Sequence, residues 1–206
     1  MEKIYKRNAG YLKLVVGPMF SMKSTQIIDY IDKLKAKNIP TLVLSHISDD
    51  RYLKEHIVTH DKIKRPCIAI SDLFQVLKNK DFENARVIII EEAQFFSNLN
   101  KFVRKIVNED KKEVVVSGLS GDFNMNPIGE IHYLYSFADE VLTCKSICEK
   151  CGEFASFTCK YSGNNNLVQV GGKNIYKPLC RECFMKNSTE NVSIEEKDAI
   201  SSFVLD

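Results

Sequence analysis

Apolar positions along the chain fall into short continuous runs separated by segments of helical spacing. Tyr11 to Val16 is the first run and ends at Gly17, which predicts a buried strand. From Lys23 to Lys37 the apolar residues Ile27, Ile28, Ile31 and Leu34 recur at helical spacing, and Asn38-Ile39-Pro40 stops that helix. Thr41 to His46 (TLVLSH) predicts a second strand. The polar stretch from Ile47 to Arg65 has no period and is expected to be a long loop, a kind of segment that is often functional. Cys67 to Ile70 predicts a short strand, with Ser71 capping a helix over Asp72 to Lys80. Arg86 to Ile90 (RVIII) is β-branched and continuous, as a strand covered on both faces of a parallel sheet requires. A helix over Ser97 to Asn108, a strand from Glu113 to Val116 and another at Val141 to Thr143 continue the alternation. The expectation is an α/β fold, a parallel sheet with helices on its faces.

The pattern changes after Thr143. From Lys145 to Lys186 the chain is rich in cysteine, lysine and asparagine, with turn-forming SGNNN at Ser162 to Asn166 and Gly171-Gly172. This predicts an α/β domain over 1–144, a small second unit over 145–186 and a polar tail over 187–206. There are no internal repeats.

Composition changes this picture only by exclusion. The chain has 206 residues, 44% hydrophobic and 27% charged, enough for one substantial domain and an appendage. A formal net charge of +2, with basic residues dispersed, argues against a nucleic-acid partner. No run approaches the roughly 20 apolar residues that span a bilayer, so no membrane partner is expected. The start, MEKIYKRNAGYLKLVVG, lacks a cleavage site and reads as a tail leading into the first strand. The expected compartment is the cytoplasm. Seven cysteines, four of them in two C-x-x-C pairs, favour a metal over disulfides in such a chain.

Three features carry chemistry. The first strand is followed by Gly17-Pro18-Met19-Phe20-Ser21-Met22-Lys23-Ser24-Thr25 and then by a helix, the setting of a phosphate-binding P-loop. Backbone N–H groups at a helix N-terminus wrap phosphate oxygens, Lys23 reaches the β- and γ-phosphates, and the Ser24 hydroxyl suits magnesium. Met22 stands where the full pattern has glycine, and a side chain held at positive φ costs about 1–2 kcal/mol. The strand RVIII runs directly into Glu91-Glu92, which places two carboxylates at the end of the sheet where ligands bind. One acid can hold magnesium while the other accepts the proton of an attacking hydroxyl. Cys148-x-x-Cys151 and Cys180-x-x-Cys183, with 28 residues between the pairs, suit a closed tetrahedral zinc site with a structural role. Cys67, Cys144 and Cys159 read as ordinary thiols.

With DDRY at Asp49, THD at Thr59 to Asp61, EEAQFF at Glu91, GLSGDFNMNPIG at Gly118 and GGKNIY at Gly171 to Tyr176, these features resemble the thymidine kinase family. The resemblance runs from about Leu12 to Phe184 and implies a P-loop NTPase-like domain with a C-terminal zinc ribbon and lid loop. It implies transfer of the ATP γ-phosphoryl group to the 5′-hydroxyl of thymidine or deoxyuridine, with ATP, Mg2+ and a structural Zn2+ as cofactors. Glu92 would be the catalytic base, acting with Arg51 and Lys23. The nucleotide site would comprise Gly17 to Thr25, Asp49, Asp50, Arg51, Glu91 and Gln94. Phe123 would lie against the thymine ring, with Met19, Phe95 and Leu119 shaping the pocket. A lid of Leu167, Val168, Gln169, Val170 and Gly171, with Tyr176, would close over the nucleoside and exclude water. The family also implies a homotetramer or homodimer. Met22, Glu91 in place of an aspartate and Ser120 in place of an acid depart from the family pattern. They leave open an alternative, a catalytically weakened relative that keeps the fold for nucleotide binding or for oligomeric interaction.

Overall fold

The computed structural model describes residues 9–48, 56–58, 63–161 and 174–187. Six strands form one parallel sheet: β1 (Tyr11–Gly17), β2 (Thr41–His46), β5 (Ile68–Ile70), β6 (Val87–Ile90), β7 (Glu113–Leu119) and β8 (Glu140–Thr143), in the order β5-β2-β6-β7-β1-β8. Residues alternate between its faces, so adjacent apolar positions serve two cores. Val15, Val43, Val87, Ile89 and Val115 pack under helix α1 (Lys23–Ala36) through Ile27, Ile28, Ile31 and Leu34. Leu14, Leu44, Ile88, Ile90 and Val116 pack on the other face against Leu99, Phe102, Val103 and Ile106 of helix α3 (Leu99–Asn108). The continuous RVIII run is therefore covered on both sides. Helix α1 ends where Asn38 takes a left-handed φ of 52°, as the Asn-Ile-Pro stop suggests.

Three local expectations need correction. The stretch from Ile47 to Arg65 is not a plain loop, because β3 (His56–Val58) pairs antiparallel with β4 (Lys64–Pro66). Ile57 and Val58 are buried there, and Ile57 joins the α1 core. An Arg65–Asp32 ion pair at 2.5 Å ties the hairpin to α1, a tertiary contact with no local signal. Asp72 rather than Ser71 is the cap, its carboxylate accepting from the Phe74 N–H at 3.0 Å. It starts a 3-10 turn at Leu73–Lys78, after which Asn79 caps a separate short helix α2 (Lys80–Asn84). Finally, α3 starts at Leu99, where the Glu130 carboxylate accepts from Asn98 and Asn100 N–H groups and caps the helix from outside.

After β8 the chain makes two small antiparallel pairs, β9 (Ser146–Ile147) with β10 (Phe154–Ala155) and β11 (Phe157–Lys160) with β12 (Tyr176–Leu179). A helical turn over 181–187 follows. Its core is small: Cys148, Ala155, Cys159, Leu179 and Phe184 are the buried members. Among the described residues, no helix is long and apolar enough to cross a membrane.

Candidate functional site

All six sheet strands run the same way, so their carboxyl ends share one edge. Register puts Gly17 beside Leu119 and Ile90 beside Val116, so the loop after β1 and the acids after β6 flank the end of β7. The loop from Gly17 wraps back on itself before α1 begins. Lys23 Nζ donates to the carbonyls of Pro18 at 2.7 Å and Gly17 at 3.2 Å, and Ser21 Oγ donates to Pro18 at 2.8 Å. Gly17 has no room for a side chain, because a Cβ there would lie 2.6 Å from the Cys144 carbonyl oxygen and from Ser21 Oγ. Phe20 and Met22 have φ of 62° and 61°, the left-handed region where L side chains are strained by about 1–2 kcal/mol each. The Met22 side chain is 61% exposed and turned to solvent. Its cost therefore lies in the backbone.

Glu91 is buried at the edge of the sheet, and Ser24 Oγ donates to its Oε1 at 2.6 Å. Its other oxygen, Oε2, and the Ser117 hydroxyl on β7 are buried without a hydrogen-bond partner among the described residues. Burial, and then the charge of Glu92, push the Glu91 carboxyl above the ordinary range, opposed by the Ser24 hydrogen bond and the charge of Lys23. A half-satisfied buried carboxylate beside a serine hydroxyl suits a hard divalent cation, which binds oxygen ligands and would stabilise the charged form.

A testable consequence follows from the sign of that shift. A carboxyl raised in the fold contributes stability below its unfolded pKa, and that contribution is lost as pH rises through the folded value. The metal-free chain is expected to lose thermal stability as pH rises through and above the ordinary carboxylate range, and Glu91→Gln to flatten this slope. Added Mg2+ is expected to raise the melting temperature of the native chain and to leave that of Glu91→Gln unchanged. Calorimetry at several pH values, with and without Mg2+, checks both.

Glu92 begins the 3-10 turn Ala93–Phe95 with a left-handed φ of 51°. Its carboxylate accepts from Gln94 Nε2, and Gln94 Oε1 in turn accepts from the Leu119 N–H at 3.1 Å. The buried Gln94 thus links the end of β6 to the end of β7. Two glycines are fitted to this bridge. A Cβ on Gly118 would meet Gln94 Oε1 at 2.5 Å, and one on Gly129, at φ 57°, would meet the Gln94 carbonyl at 2.4 Å. Between them Asp122 Oδ1 accepts from the Asn124 and Asn126 N–H groups, both at 2.8 Å, and folds the turn that carries Phe123. Phe95 and Phe123 are half-buried, Phe96 is core, and His46 at the end of β2 stacks edge-on to Phe96 at 4.8 Å.

The cysteine-bearing unit reaches the same edge. Met19 N–H donates to Thr158 Oγ1 at 3.0 Å, and Ser146 Oγ donates to the Phe20 carbonyl at 3.0 Å. Lys160 Nζ lies 4.9 Å from the Phe123 ring centroid and 5.9 Å from that of Tyr176. Cys144 packs on Gly17; burial pushes its thiol pKa up, and the charges of Lys23 and Lys13 pull it down.

Cys148, Cys151, Cys180 and Cys183 bring their four Sγ atoms within 4.8 Å of one another, with Cys151 and Cys180 at 3.6 Å. Tetrahedral Zn–S bonds of about 2.3 Å imply sulfur separations of about 3.8 Å, close to the 3.6 Å between Cys151 and Cys180. Burial opposes the Cys148 thiolate, but backbone N–H groups of Cys180, Cys151 and Lys150 outweigh it and bring the pKa down to about 6. Burial and its neighbour thiols push Cys183 up to about 12. The four groups cannot all ionise together unless a cation sits among them, so the donor set fits zinc. No disulfide joins the seven cysteines.

Of the residues singled out in the sequence, Gly17 to Thr25, Glu91, Glu92, Gln94, Phe95, Leu119, Phe123 and Tyr176 stand at or beside this edge. Asp49, Asp50, Arg51 and Leu167 to Gly171 lie outside the described residues. The sequence reading missed Thr158, Ser146, Lys160, Cys144 and His46. Their partners lie far away in the chain, 139 residues for Thr158 with Met19, and no spacing rule reaches that far. Ser117 did carry a signal, as a hydroxyl inside the buried run EVVVSGL.

A family model described as thymidine kinase matches residues 10–184. Thymidine kinase a of Arabidopsis thaliana is 33% identical over 190 residues, 91% of this chain and 80% of its own length. The thymidine kinase of fowlpox virus is 32% identical over 183 residues, 87% of this chain and 100% of its own. That of the bacterium Pseudothermotoga lettingae is 31% identical over 185 residues, 89% and 99% of the two chains.

Proposed function

Because the chain belongs to the thymidine kinase family, we propose that it transfers the γ-phosphoryl group of ATP to the 5′-hydroxyl of thymidine or deoxyuridine. The observation that carries this reading is the Ser24–Glu91 contact at 2.6 Å, with Glu92 and Gln94 next to it on the same strand end. In this reading the loop N–H groups and Lys23 hold the ATP phosphates. Lys23, now bonded to loop carbonyls, turns to the β- and γ-phosphate oxygens when they arrive. Ser24 and Glu91 hold Mg2+, which neutralises charge on the transferring group. Glu92 takes the proton of the 5′-hydroxyl as that oxygen bonds to the γ-phosphorus, and the bond from the γ-phosphorus to the ADP oxygen breaks. Arg51, Asp49 and Asp50 belong to the same phosphate and metal site.

Phe123 stacks on the base, with Met19, Phe95, Leu119 and Tyr176 around it and Leu167 to Gly171 as the lid. The four cysteines hold structural zinc at the root of that lid. The α/β domain over 1–144, the ribbon and lid over 145–186 and the tail over 187–206 divide these tasks, and the active form is a homotetramer or homodimer in the cytoplasm.

The left-handed Met22 favours a second reading, a relative that binds nucleotide but turns over slowly. Met22→Gly separates the two. Glycine relieves strain of about 1–2 kcal/mol and adds backbone entropy worth about 0.5–1 kcal/mol in the unfolded chain, so stability is expected to rise by no more than about 1.5 kcal/mol. Under the active reading, ATP-dependent thymidine phosphorylation by native chain and Met22→Gly lies within about tenfold, and both exceed Glu92→Ala. Native turnover equal to that of Glu92→Ala, with Met22→Gly restoring it, supports the weakened relative.

A further inference from the structure

The phosphate loop is gripped from outside at two adjacent residues. Met19 N–H donates to Thr158 Oγ1, and the Phe20 carbonyl accepts from Ser146 Oγ, both at 3.0 Å. Thr158 and Ser146 are buried, at 5% and 7% exposure, so water does not compete well for either bond. A third contact runs alongside them: Cys144 N–H donates to the Val16 carbonyl at 2.7 Å, laying segment 144–146 along the outer side of the loop. The grip falls on one strained residue, Phe20, and ends two residues before the other, Met22. Phe20 takes φ 62°, Met22 takes φ 61° two residues on, and no side-chain hydrogen bond caps α1 at Met22. A strained segment persists only where its surroundings over-determine it.

The two hydroxyls also sit in the cysteine-bearing unit. Ser146 on β9 lies just ahead of Cys148, and Thr158 on β11 pairs with Pro178 on β12, which leads into Cys180. We propose that Thr158 and Ser146 are positioning residues. They hold Met19 and Phe20 in the anion-receiving conformation before nucleotide arrives, and so make ATP affinity depend on an intact ribbon. The proposal rests on the reading of Gly17 to Thr25 as the ATP phosphate loop. It gives the ribbon a task on the nucleotide side of the site, apart from any lid over the nucleoside.

The test is equilibrium binding of a fluorescent ATP analogue with Mg2+ and without thymidine, on the full zinc-loaded chain, together with steady-state kinetics. Thr158→Val keeps the side-chain volume and Ser146→Ala removes one oxygen, so zinc content and melting temperature report directly whether each variant is folded. Each is expected to weaken nucleotide binding about 3- to 10-fold, the range a lost hydrogen bond spans. Thr158→Ser, which keeps the hydroxyl, is expected to stay within about twofold of native. KM for ATP rises in the two deletion variants while kcat at saturating ATP holds, a split that general loosening of the fold would not give. Native affinity in both folded variants overturns the proposal. A native chain that fails to bind the analogue overturns the phosphate-loop reading, and this inference falls with it.

Discussion

Glu92→Gln is expected to lower turnover about 10²- to 10⁴-fold, the usual contribution of a positioned general base, while leaving ATP affinity within about twofold. The variant keeps the shape of the side chain and removes only its ability to accept a proton. The geometry makes Glu92 the better of the two acids for that task. Glu91 is fully buried, bonded to Ser24 and shifted toward the protonated form, which suits a metal ligand once a cation is present. Glu92 is partly exposed and held on a left-handed residue, and Gln94 orients its carboxylate through the Leu119 backbone. Rapid-quench measurement of the chemical step, beside nucleotide binding, checks the split. Equal loss of binding and turnover would assign Glu92 to the metal site instead of to proton transfer.

The second large effect belongs to the cysteine cluster. Cys180→Ser is expected to abolish stoichiometric zinc, unfold the unit around residues 145–186 and reduce turnover on the order of a hundredfold, the cost of misplacing a site by about an ångström. Among the described residues the hydrophobic cluster of that unit has five buried members, two of them cysteines, which is too small a core to fold unaided. Ile147 and Phe154 face each other across β9 and β10 with 58% and 67% exposure, so they add little burial. Metal binding in comparable four-ligand modules contributes about 10–16 kcal/mol of apparent folding free energy. Losing it would release Thr158 from Met19, Ser146 from Phe20 and Tyr176 from Lys160. The sheet is expected to survive, since its two cores close on α1 and α3 without the ribbon. Metal analysis and limited proteolysis check this, with cuts confined to the second unit. Full turnover without bound metal would contradict it.

What could be read from the sequence divides by range of interaction. Strands β1, β2, β6 and β7 were legible because both of their faces are buried, which leaves nearly continuous apolar runs, β-branched in β6 and β7. Helix α1 was legible from Ile27, Ile28, Ile31 and Leu34. The phosphate loop, the acid pair and the two C-x-x-C pairs are compact motifs whose chemistry is written in adjacent residues. The left-handed strain at Met22 followed from its place in the loop, where the full pattern has glycine, and the φ of 61° agrees. The β3–β4 hairpin was hidden because its apolar content is only Ile57 and Val58, and its anchor is the distant Asp32. The cap at Asp72 competed with an equally plausible Ser71 next to it. The bridge from Gln94 to Leu119 and the grip of Thr158 and Ser146 on the loop join segments that only the fold brings together.

The central claim is that this sheet edge moves a phosphoryl group from ATP to a nucleoside. The most direct measurement supplies zinc-loaded chain with γ-labelled ATP, Mg2+ and thymidine, and then identifies the labelled product. The account predicts label in thymidine 5′-monophosphate with an equal amount of ADP, formed about 10²- to 10⁴-fold more slowly when Glu92→Gln replaces the native chain. ADP and free phosphate without labelled nucleotide, or no transfer by either the native chain or Met22→Gly, would contradict it.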